Sequence, residues 1–70
     1  MLPTDDQMKM LVRNLNTCFY NAGHFSLSAI LLHANCLVIA DPGSGASITY
    51  EVSLTEDKII LDEIKKEKMN

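Results

Sequence analysis

Seventy residues, 47% of them hydrophobic and 21% charged, allow one small domain over 1–70 and exclude both a second domain and an intrinsically disordered chain. Six basic residues face nine acidic ones, a net charge of -3, which argues against nucleic-acid binding because phosphate contacts dominate that affinity. Two cysteines are too few for a secreted disulfide scaffold, and Met1-Leu2-Pro3-Thr4-Asp5-Asp6 lacks the positive and apolar regions of a secretory leader. These features predict a cytoplasmic protein with free thiols. No formal charge occurs between Arg13 and Asp41, but Asn14, Asn16, Asn21, His24, Ser26, Ser28, His33 and Asn35 interrupt that run, so no membrane contact is expected.

The elements predict a small two-layer α+β fold. Thr4-Asp5-Asp6-Gln7 reads as a capping box, in which the Thr4 hydroxyl accepts from the Gln7 amide and Gln7 reaches back. Asp5 and Asp6 suit the positive end of the helix dipole. Met8, Leu11, Val12, Leu15, Cys18, Phe19 and Ala22 recur at spacings of three and four, and Gly23 can take the left-handed conformation that ends a helix. The expectation is an amphipathic helix over about 5–22.

Residues 26–34 satisfy two templates. Ser26 as N-cap, with a hydrophobic staple between Phe25 and Ile30, favours a second helix. Alternation of Phe25, Leu27, Ala29 and Leu31 with Ser26 and Ser28 fits a strand. The helix is the preferred expectation. The run Cys36-Leu37-Val38-Ile39-Ala40 reads as a central strand covered on both faces. After the turn formers Asp41-Pro42-Gly43, Ile48, Tyr50, Val52 and Leu54 alternate with Ser47, Thr49, Glu51 and Ser53, giving a strand over 47–54 with one core face. Strands 36–40 and 47–54 therefore form a hairpin with a loop of about six residues. The last segment carries Glu56 and Asp57 at its start and Lys65, Lys66 and Lys68 at its end, as a helix dipole prefers, so a helix over about 56–68 is expected. A strand over 58–62 followed by a tail is the competing pattern.

Functional residues are sparse. Cys18, His24, His33 and Cys36 fall in the spacing Cys-x5-His-x8-His-x2-Cys, but only His33-x2-Cys36 has the tight spacing of a structural zinc knuckle, so no metal and no other cofactor is expected. The thiols are instead expected to be buried and structural. Asp41, Gly43, Ser44, Gly45 and Ser47 line the single Gly-rich loop, which lacks the lysine and the following helix of a phosphate-binding loop and the third glycine of a dinucleotide fingerprint. No nucleophile sits in a catalytic signature, and a chain this short has little material to enclose a dry site, so an enzyme is not expected.

What remains is a protein-binding or inhibitory accessory module, of the kind that small bacterial and phage proteins supply. Its candidate docking face is Lys9, Arg13, Asn16 and Tyr20, one basic and aromatic stripe of the first helix. The second functional expectation is an oligomer that sequesters a nucleotide or other metabolite through the 41–47 loop. A homodimer is expected in either case, because so small a core leaves little net stability, and Phe25, Leu27, Ile59, Ile60 and Ile64 exceed what a two-layer core can cover.

Overall fold

The computed structural model describes residues 1–67 and contains one helix followed by four strands: α1 (Asp5–Asn21), β1 (Ser28–His33), β2 (Cys36–Asp41), β3 (Ala46–Thr55) and β4 (Lys58–Glu67). The strands form one antiparallel meander in the order β1-β2-β3-β4. The α+β class holds.

Helix α1 begins and ends as its sequence dictates. The Thr4 hydroxyl accepts from the Gln7 amide at 3.2 Å, and the Gln7 side chain accepts from the Thr4 amide at 2.8 Å, which completes the capping box. At the other end Gly23 adopts φ +81°, the His24 amide donates to the Phe19 carbonyl, and the Gly23 amide donates to Tyr20. Those two bonds make a Schellman stop. Met8 is buried, and Leu11, Val12, Leu15 and Phe19 pack against the core. Cys18, expected on that stripe, is exposed, because it lies one residue and hence about 100° round the helix from Phe19. Ala22, the C-cap residue, is exposed too.

Three expectations about the rest of the chain are corrected. Residues 28–33 form strand β1, not a second helix: Ser28 pairs with Ala40, Ile30 with Val38 and Leu31 with Leu37. Ladder bonds to β2 outweigh the helical preference of Ala and Leu, and Phe25 makes no staple but stands 73% exposed. The C-terminal helix is replaced by strand β4, paired with β3 from Thr55↔Lys58 to Ser47↔Glu67 with an irregularity opposite Thr49/Tyr50. Lys68, assigned above to a last helical turn, lies outside the described residues. The two-residue connection Glu56-Asp57 has φ +48° and +67°. Positive φ at both central positions is the mark of a type I′ turn, whose twist matches antiparallel strands but whose usual occupants are Asn and Gly. Strand β2 is internal to the sheet but is covered on one face only, since the single helix of the described residues lies on one side of the sheet.

The register places Ala29, Leu31, Leu37, Ile39, Ile48, Tyr50, Val52, Leu54, Ile59 and Leu61 on the face that receives α1. Helix α1 packs on the β1 side of that face, and the buried centre is Met8, Ala29, Leu37 and Val52. Strand β4 lies beyond its reach, and all ten residues of β4 are exposed. The molecule's accessible surface of 5118 Å² exceeds the roughly 4,400 Å² expected for a compact 7.8 kDa monomer.

Two asparagines complete the sheet where strand partners run out. The Asn16 carboxamide accepts from the Ala29 amide at 2.7 Å and donates to the Ala29 carbonyl at 3.1 Å, imitating a neighbouring strand at the β1 edge. In the β1–β2 turn the Asn35 carbonyl accepts from the Val52 amide at 2.9 Å, and the Asn35 side chain donates to the Val52 carbonyl at 3.1 Å. Met1 does the same further along β3, where its carbonyl accepts from the Leu54 amide at 2.8 Å.

Candidate docking surfaces

The stripe read from the sequence divides in two. Lys9, Arg13 and Tyr20 are exposed, whereas Asn16 is committed to the β1 main chain and is structural. Its bond to Ala29 fixes where the stripe runs, along the β1 edge of the sheet. Neither Lys9 nor Arg13 forms an ion pair with a described residue. Tyr20, 68% exposed, meets Phe25 edge-to-face with ring centroids 5.2 Å apart. Two aromatic rings therefore stand together in solvent at one end of a row of two cations. The Schellman stop at Gly23 creates this pairing, because it reverses the chain and returns Phe25 against the last turn of α1.

The 41–47 loop is closed on itself. The Asp41 carbonyl accepts from the Ser44 and Gly45 amides, the Asp41 carboxylate from the Gly43 amide at 3.0 Å, and the Ser44 hydroxyl from the Ala46 amide at 3.2 Å. Those are the donors that an anion would need. The connecting residues number four, 42–45, rather than about six, and Gly45 takes φ +75°. The loop thus spends its backbone donors on shaping a hairpin turn.

Among the described residues no three His, Cys, Asp or Glu side chains gather at metal-binding distance. Cys18 is exposed on α1, Cys36 is half-buried at the start of β2, and both are free. His33 pairs with Cys36 across the β1–β2 hairpin, and His24 sits at the helix stop. No helix among the described residues is long and apolar enough to cross a membrane.

One surface escaped the sequence reading. Where α1 leaves β4 uncovered, a groove of about 290 Å³ is lined by Asp6, Gln7, Met10, Leu11, Asn14 and Ile59. A second hollow, of about 510 Å³, continues past Gln7 and Ile59 to Met1, Leu54, Glu56 and Asp57. Met10 and Ile59 belong to opposite walls and lie far apart in sequence, so no local pattern could join them. Along β4, the Lys65 ammonium and the Glu67 carboxylate meet at 2.8 Å, a contact that raises the lysine above its ordinary value, chiefly through the hydrogen bond.

Comparison with protein-family models, with curated proteins and with solved structures finds no match.

Proposed function

We propose that this chain is a non-catalytic protein-binding module, an accessory or inhibitory protein that docks on an acidic surface of its partner through Lys9, Arg13, Tyr20 and Phe25. The observation that supports the reading is the exposed Tyr20–Phe25 pair standing beside two cations without ion-pair partners among the described residues. Aromatic rings and arginine are enriched among the residues that dominate interface energetics, the rings because they bury much area with only two rotatable side-chain bonds. An aromatic pair held by a helix stop is already ordered before the partner arrives, which reduces the entropy lost on docking. The cations steer an acidic partner and set the orientation of the complex. Sequestration of a metabolite by the 41–47 loop has less support, since its amides are consumed within the turn.

The reading is tested by affinity capture from the source cell, with wild-type protein compared against Arg13→Glu and Phe25→Ala. Capture of one specific protein by the wild type, lost in both variants while each melts within a few degrees of it, is the expected result. Equal capture by the variants removes this face from consideration. The exposed charge at Arg13 contributes little to stability, so loss of capture would not reflect unfolding.

A further inference from the structure

The two edges of the sheet differ. At β1 the Asn16 carboxamide occupies the main chain of Ala29, whereas no described residue covers β4, a ten-residue strand. A long open edge strand is a template for a further strand. We infer that β4 is the self-association edge of this protein, pairing antiparallel with β4 of a second copy about a two-fold axis at Ile60, so that two sheets join into one of eight strands.

The hydrogen-bonding phase follows from β3. The main chain of Val52 bonds to Asn35 and that of Leu54 to Met1, so these alternate residues point towards β2. Glu51, Ser53 and Thr55 therefore point towards β4, where they pair with Asp62, Ile60 and Lys58. By alternation Ile59 and Leu61 direct their amides and carbonyls outward, free to bond a new strand. Only registers that set these outward residues opposite one another can form a ladder.

Among those registers the sequence selects one. Lys58-Ile59-Ile60-Leu61-Asp62 reads positive, three apolar, negative. Reversed against itself about Ile60, it places Lys58 opposite Asp62 of the second copy at both ends, Ile59 opposite Leu61 twice, and Ile60 opposite Ile60. Moving the axis to Leu61 sets Ile60 against Asp62 and Ile59 against Glu63, and moving it to Asp62 sets two aspartates face to face. Opposite-charge and apolar cross-strand pairs are the favourable ones, and like charges directly opposite are not. All five residues precede the irregularity between Glu63 and Lys65, so the pairing segment is regular.

The arrangement also has the right kind of surface to bury. Ile59, Ile60 and Leu61 are exposed in the monomer. The axis stands normal to the sheet, so both helices lie on the same side, and the grooves beside Met10 and Ile59 join into one apolar trough between them. Because the Lys9–Tyr20 stripe borders β1, the dimer displays two docking stripes at the outer ends of the joined sheet. A two-fold axis makes the contact self-complementary, so each copy's Lys58–Asp62 segment is occupied by that of the other and the pair is closed.

Sedimentation equilibrium of the full chain tests this, from about 10 µM to about 1 mM, the range in which a small interface should associate. The expected result is a mass rising from 7.8 kDa towards twice that value with concentration. Ile60→Lys sets two ammonium groups on the axis and should abolish the rise. Lys58→Asp alone and Asp62→Lys alone each put like charges opposite one another and should weaken association about tenfold. Mixed in equal amounts, those two variants restore both ion pairs in a heterodimer, so recovery of the mass on mixing is expected and also shows that both are folded. A wild type that stays monomeric throughout, an Ile60→Lys variant that associates equally well, or a mixture that fails to recover would each overturn the inference. The docking reading fails separately, through capture.

Discussion

Replacing Asn16 by Ala removes a side chain that is exposed by area yet holds a buried main-chain unit. Ala29 is 3% exposed, and both of its outward backbone groups end on the Asn16 carboxamide, at 2.7 and 3.1 Å. Two hydrogen bonds contribute about 1 kcal/mol each, and an amide or carbonyl left unpaired away from water costs about 1–3 kcal/mol. Water can approach the β1 edge from one side, so the lower part of that range applies, and the substitution should destabilise the fold by about 2–3 kcal/mol. For a domain of this size that corresponds to a fall of roughly 10–20 °C in Tm. Urea unfolding followed by far-ultraviolet circular dichroism gives the difference directly, provided that the m-value is unchanged. Asn16→Asp sharpens the test, because a carboxylate still accepts from the Ala29 amide but repels its carbonyl, and it should recover part of the loss only. A change below about 0.5 kcal/mol for Asn16→Ala would show that the carboxamide does not serve as a substitute strand, since ordinary surface substitutions fall in that range.

Further outcomes follow from the same geometry. Glu56→Asn with Asp57→Gly places the preferred residues at two positions of positive φ, and should raise stability by about 1 kcal/mol in urea titrations; a loss would contradict the type I′ assignment. Ala34, at φ +46° in the β1–β2 turn, should likewise gain a few tenths to about 1 kcal/mol on replacement by Gly. Leu37 is fully buried at the centre of the sheet, so Leu37→Ala should cost about 2–5 kcal/mol, enough to leave no cooperative melt in a chain this small. Cys18 should react with a thiol reagent in the folded state at the rate of a free cysteine, and Cys18→Ala should shift stability by less than about 0.5 kcal/mol; slow labelling would place it in the core after all.

The sequence by itself determined whatever rests on contacts within a few residues. The capping box at Thr4 and Gln7, the stop at Gly23, the core stripe from Met8 to Phe19 and the hairpin of β2 and β3 are set by hydrogen bonds and periodicities inside a short window, so they are legible without a partner element. Tertiary structure decided the rest. Residues 28–33 contain good helix formers, and only the ladder with β2 makes them a strand. Residues 58–67 carry a helix-like charge order, but pairing with β3 across a Glu-Asp turn overrides it, and that turn lacks the Asn-Gly signature by which a hairpin is recognised. Asn16 looked like part of a docking stripe because helical spacing reports which residues share a face, not what lies against it. The exposed β4 edge and the groove beside Ile59 arise because a single helix of 17 residues, seated on the β1 side, is too narrow to cover four strands. Coverage of that kind depends on how the layers are placed, which no local pattern encodes.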